Sequence, residues 1–166
     1  MDHTAIVKGP RHQKIIGEFG ELLICNWLSR SGFEVEVIDH TGIDIIAYHR
    51  GSDKRLGITI KSRTRTGDRE NSSVNVFSYQ NGKDDRQKAL DACKAFNCEL
   101  WIGIYVEATD YADLYLTSEA NYDAKYRKPK RAIDDWKMGP RHLKTYASDP
   151  AVQHLRFVFQ EGNWSW

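Results

Sequence analysis

The hydrophobic period of this chain changes abruptly at Gly32. From Gln13 to Ser31 the apolar residues Ile15, Ile16, Phe19, Leu22, Leu23 and Trp27 recur at three and four, the spacing of one helix face. Gly32 stands where a C′ glycine stops a helix. Beyond it Phe33, Val35 and Val37 alternate with Glu34, Glu36 and Ile38, the period of a half-buried strand ending at Asp39. His40-Thr41-Gly42 reads as a turn, and the β-branched run Ile43 to Tyr48 as a second strand buried on both faces. After a turn at Gly51-Ser52-Asp53, Leu56 to Ser62 reads as a third strand, with Ile58 and Ile60 facing opposite to Thr59 and Lys61. The opening is therefore a helix followed by three strands in meander order.

Thr64 to Ser73 is polar and reads as a loop, with Val74 to Ser78 returning as a short strand. Lys83 to Phe96 is made of helix formers with an apolar stripe at Ala89, Leu90, Cys93 and Phe96. Leu100 to Val106 is hydrophobic enough for a central strand, and Ala112 to Leu116 is a shorter one after the Thr109-Asp110 turn. Past Thr117 the periodicity weakens into a polar, tyrosine-rich, basic stretch reaching Lys144, and Leu155 to Phe159 is expected to be a last strand. The 166 residues suit one domain. We expect an α/β domain spanning 1–166, a mixed sheet with flanking helices, its core at about 13–117 and a basic C-terminal extension at about 118–166.

Hydrophobic residues at 40% and charged residues at 28% exclude disorder, collagen and coiled coil as descriptions of the whole chain. Cys25, Cys93 and Cys98 lack CxxC spacing and cannot pair evenly, which favours a reducing compartment. The N-terminus has no apolar signal core and no stretch is long enough to span a bilayer, so a soluble, cytoplasmic protein is expected. None of the six histidines forms an HxH or HxxxH pair.

Three residues bear on chemistry. Asp44 opens a strand that otherwise reads Ile-Ile-Ala, where a carboxylate costs free energy unless paired. Lys61 lies on the next strand, on the face of Thr59, and neighbouring strands are only about 4.8 Å apart. Glu21 lies on the preceding helix and can approach from one side. Two carboxylates, a strand carbonyl and a lysine in one small volume suit a hard divalent cation beside a phosphodiester.

The segments Gly17-Glu18-Phe19-Gly20-Glu21, Gly32-Phe33-Glu34-Val35, Gly42-Ile43-Asp44-Ile45-Ile46-Ala47 and Ile58-Thr59-Ile60-Lys61-Ser62-Arg63 resemble the PD-(D/E)XK nuclease superfamily. The likeness is greatest to its archaeal-type Holliday junction resolvases, in which a helix glutamate precedes the glycine of a Gly-Phe pair by eleven residues, as Glu21 precedes Gly32. It covers roughly Gly17 to Val106. The resemblance implies a restriction-endonuclease-like αβββαβ core. It also implies Mg²⁺ or Mn²⁺ held by Glu21, Asp44 and the backbone carbonyl of Ile60, with Lys61 as the lysine of the E-x-K motif, and possible homodimerisation. Thr59 departs from the motif, which expects an acid or sometimes glutamine there. Asp39 or Glu18 would be the nearby replacements, and His40 is a candidate general base.

The net charge of +1 is a sum over unlike parts: residues 54 to 69 hold six Lys and Arg against one Asp, and residues 125 to 144 hold eight against two. Lys54, Arg55, Arg63, Arg65 and Arg69 are expected around the mouth of the site. Lys128, Lys130 and Arg131 form a second phosphate-binding candidate, with Tyr122, Tyr126 and Trp136 near enough to stack on unpaired bases. The expected function is metal-dependent hydrolysis of DNA phosphodiesters, on branched DNA in particular, with DNA favoured over RNA. The alternatives are a nuclease-fold DNA-binding module without chemistry, favoured by Thr59, and a structural or protein-interaction domain.

Overall fold

A computed structural model of the chain describes residues 6–159. Helix α1 (His12–Ser29) ends just before Gly32, whose φ of +88° is the left-handed stop that the sequence implies. Its buried face is Ile16, Gly20, Ile24 and Leu28. This corrects the expected stripe: Ile15, Phe19 and Leu22 are 57%, 49% and 61% exposed. The helix carries two apolar faces, and the one containing Gly20 allows the closer backbone approach. A Cβ at position 20 would collide with Ser62 Oγ.

Strands β1 (Phe33–His40), β2 (Ile43–His49) and β3 (Lys54–Thr64) form the expected antiparallel meander. One face of β2 is fully buried and the other only partly, so it is not the doubly buried strand expected. A loop, β4 (Val74–Ser78) and helix α2 (Asp85–Ala95) then cross over to β5 (Glu99–Glu107), which pairs parallel to β3 from Leu56↔Glu99 to Thr64↔Glu107. Strand β6 (Tyr111–Ser118) returns antiparallel to β5. Helix α2 buries Ala89, Ala92 and Cys93, whereas Phe96, expected in its stripe, is 42% exposed just past the helix end.

The C-terminal third is more structured than its sequence period implies. It holds α3 (Glu119–Lys125), β7 (Ile133–Trp136), α4 (Pro140–Ala147) and β8 (Val152–Val158). Strand β8 adds to β6, giving the order β1-β2-β3-β5-β6-β8, and β7 pairs with β4 in a separate two-stranded ribbon. The helix α1 side of the sheet is packed by Ile24, Ile45, Ile58, Tyr105 and Leu114. The other side is packed by Ile102, Ile104 and Tyr115 against Trp136 and Tyr146, whose rings stack at 4.0 Å. Tyr122 and Trp136 are wholly buried, and Tyr126 donates its hydroxyl to Asp149 Oδ2 at 2.6 Å. Tyr122 and Trp136 are therefore core residues and not a base-stacking platform; a ring without exposed area has no face to offer a base. Among the described residues no helix is long and apolar enough to cross a membrane.

Candidate active site

The ladder between β2 and β3 ends at Ile45↔Ile58. One residue further out the strands diverge, and the Asp44 side chain fills the gap: its Oδ2 accepts the Ile60 N–H at 2.7 Å. The hydroxyl of Thr59, only 5% exposed, also favours the anionic form of this carboxylate. The N–H and C=O of one strand residue point to the same edge. The Ile60 carbonyl therefore faces the opening that β2 leaves as it departs from β3.

A cleft of about 220 Å³ lies at this fork, lined by Thr41, Asp44, Thr59, Lys61, Phe77 and, from α2, Asp85 and Lys88. The α2 residues reach it because Gly42, at φ +103°, lets the helix dock on the β1–β2 turn; a Cβ there would sit 2.7 Å from the Lys88 carbonyl oxygen. Sequence reasoning missed Asp85 and Lys88. They occupy the polar face of a helix remote in sequence, and only the crossover brings them to the fork.

Burial raises the Asp44 pKa above its ordinary value, outweighing the Ile60 N–H, the Lys61 charge and the Thr59 hydroxyl, all of which favour the anion. Burial likewise raises Glu21, followed by repulsion from Asp44 and Glu18. Glu21 does not line the cleft, yet the Asp44 charge helps to raise its pKa, while the Lys61 charge favours the Asp44 anion.

The residues weighed as replacements for the acid at position 59 do not reach the cleft wall. Glu18 pairs with Lys14 at 3.6 Å on the exposed side of α1, and Asp39 is exposed on β1. His40 turns Nδ1 toward the Thr41 carbonyl at 3.0 Å and its ring toward Phe96, so it does not serve Asp44. Among the described residues no three His, Cys, Asp or Glu side chains are grouped to hold a metal ion. Asp44, Glu21 and the Ile60 carbonyl are all hard oxygen donors. They fit Mg²⁺ or Mn²⁺ in a minimal form, since such ions are commonly held by one or two carboxylates with water and substrate oxygens.

The basic residues divide into separate groups. Arg63, Arg65 and Arg69 gather at the C-terminal end of β3, where burial and then the charges of Arg63 and Arg69 lower the Arg65 pKa. None of the three has a carboxylate partner within ion-pair distance among the described residues. Arg65 also ties down the start of β4, donating from Nη2 to the Ser73 carbonyl at 3.0 Å. Lys54 and Arg55 do not surround the cleft, contrary to expectation. They begin β3, about 20 Å of strand away from Lys61, where Lys54 sits 5.1 Å from the Trp101 ring centroid and Arg55 lies 5.3 Å from that of Tyr48. Arg131 pairs with Asp135 at 3.2 Å, Lys130 is exposed in a turn, and Lys128 lines a second cavity.

No protein-family model matches this chain, and no curated protein sequence matches it. Among solved structures it is similar to Hjc, a Holliday junction resolvase from the archaeal hyperthermophile Archaeoglobus fulgidus, with a TM-score of 0.50 and 10% identity over 75% of this chain and 91% of that one. At that identity the likeness speaks of fold: a restriction-endonuclease-like mixed sheet flanked by helices.

Proposed function

We propose that the protein is a divalent-metal-dependent nuclease acting on DNA. The observation that carries this reading is the fork itself: Asp44 stands opposite Thr59 and Ile60, coupled in charge to Lys61 and Glu21, in a fold similar to that of a Holliday junction resolvase. Asp44, Glu21 and the Ile60 carbonyl would hold Mg²⁺ or Mn²⁺. When bound, the ion supplies Lewis-acid polarisation of a phosphoryl oxygen and lowers the pKa of a bound water. The Ile60 N–H holds one carboxylate oxygen of Asp44, Oδ2, and leaves Oδ1 as the oxygen that would meet the ion. The Lys61 ammonium offsets charge gathering on the phosphorus oxygens or orients the attacking water. Arg63, Arg65 and Arg69 take up adjacent phosphates along the strand.

One observation favours a second reading, a DNA-binding module without chemistry. Thr59, a buried neutral hydroxyl, stands beside Asp44 at the position where an acid would complete the ligand set. A single experiment separates the two readings: purified protein with Mn²⁺ and branched, single-stranded and duplex DNA, alongside Asp44→Ala and Lys61→Ala. Cleavage by the wild type that both variants lose supports the nuclease. Binding without cleavage, and with no heat of Mn²⁺ uptake in calorimetry, supports the module. Cleavage that survives Asp44→Ala would sink the site assignment.

A further inference from the structure

A second concentration of positive charge, apart from the cleft and from the arginines that end β3, surrounds a cavity of about 340 Å³ between α3, β7 and α4. Lys128, Arg141 and His142 line it without a carboxylate partner within ion-pair distance among the described residues. Its single acid, Asp135, is already engaged twice, by Lys137 at 2.6 Å and Arg131 at 3.2 Å. The remaining charge is therefore positive, and α4 adds the positive end of its dipole, because its N-cap Gly139 offers no side-chain acceptor. Tyr126 and Tyr146 supply aromatic wall. The Tyr126 hydroxyl is committed to Asp149, so that ring contributes its body and not its polar tip.

The size and charge select the ligand class. A volume of this order suits one small molecule and not a duplex. A phosphate monoester carries nearly two negative charges at neutral pH, against one for a diester, and so answers the two unpaired cations Lys128 and Arg141 better, with His142 beside them as a hydrogen-bonding group. An attached nucleoside would meet the part-exposed ring of Tyr126, since Tyr146 is buried against Trp136 and offers no free face. We propose that this cavity binds the phosphate monoester of a nucleotide, either a free nucleotide or the 5′-phosphorylated end of a strand. The site is distinct from the cleft. Among the described residues none lines both cavities, although Asp135 follows Asp134, the β7 partner of the cleft residue Phe77. The inference goes beyond the nuclease reading and does not depend on it.

Titration calorimetry of the full chain at low salt tests it. The probes are inorganic phosphate, thymidine 5′-monophosphate, and one short oligonucleotide bearing either a 5′-phosphate or a 5′-hydroxyl. A monoester probe should bind and should weaken at least about tenfold in Lys128→Ala/Arg141→Ala, as loss of charge-assisted hydrogen bonds requires. Both side chains are exposed, so this variant should keep its fold, which circular dichroism checks. Binding of the mononucleotide alone makes a free nucleotide the ligand, while preference for the 5′-phosphorylated oligonucleotide over its 5′-hydroxyl twin makes it a strand end. The proposal is overturned by absence of binding for every monoester, by equal affinity for the two oligonucleotides with no mononucleotide binding, or by monoester binding that Lys61→Ala removes and the double variant retains.

Discussion

Asp44 Oδ2 accepts the backbone N–H of Ile60 at 2.7 Å, so a carboxylate holds the end of a β-ladder where a carbonyl ordinarily would. The same side chain is therefore both a structural acceptor and the central acid of the proposed site. Asp44→Ala leaves the Ile60 N–H unpaired and is expected to cost about 1–3 kcal/mol. Asp44→Asn keeps an acceptor and should cost little. Urea denaturation with chelator present compares the two; equal losses would mean that the hydrogen bond has no structural role.

The raised pKa of Asp44 also sets the sign of a pH effect. Burial makes the folded protein hold the Asp44 proton more tightly than the unfolded chain does, and Glu21 follows the same sense. The native state then binds more protons in the window above the ordinary value of 3.8, so this pair removes stability as pH rises through it. Without metal, Asp44→Asn should melt at a higher temperature than wild type at pH 7, and the advantage should shrink toward pH 4. Adding Mn²⁺ should raise the melting temperature of the wild type and leave that of the variant unchanged.

Thr59→Glu supplies the acid that the E-x-K pattern calls for. It should raise Mn²⁺ affinity by about tenfold or more in calorimetry, through added ligand charge. It should also lower the melting temperature without metal, because a further carboxylate would then lie buried beside Asp44. A variant that loses stability and gains no metal affinity would argue against a metal centre at the fork.

Gly42→Ala tests the docking of α2. It places a side chain at φ +103° and a methyl group 2.7 Å from the Lys88 carbonyl. The expected cost is about 2–3 kcal/mol, with Lys88 displaced from the cleft rim. An unchanged denaturation midpoint would refute the close approach.

The arginine cluster and the lysine at the start of β3 should separate in salt dependence. Arg63→Ala and Arg69→Ala are each expected to lower the slope of log K against log salt for duplex DNA by about 0.9. Lys54→Ala, at the other end of the strand, should leave it unchanged. Equal effects from all three would place the DNA along the whole of β3.

The opening of the fold was legible because period alone distinguishes a helix from strands, and Gly32 and Gly42 mark where the chain must turn. Asp44, Thr59 and Lys61 could be placed on one face because alternation in a strand is strict. The face that α1 buries was not legible. Two apolar stripes compete on that helix, and backbone contact at Gly20 decides between them. The core role of Tyr122 and Trp136 was hidden for a related reason: short elements rich in polar residues carry little period, and Trp136 is buried by pairing with β4 far away in sequence while Tyr122 is buried where α3 packs on the sheet.

The sequence by itself determined the αβββ opening, the hydrophobic strand after the second helix and the alternation that sets an acid and a lysine on facing strands, because each follows from local spacing and turn chemistry. Only the tertiary structure decided that β2 and β3 part beside Asp44, that α2 brings Asp85 and Lys88 to the rim, and that β5 pairs parallel to β3. Those facts depend on where elements distant in sequence come to rest, and local periodicity carries no information about that.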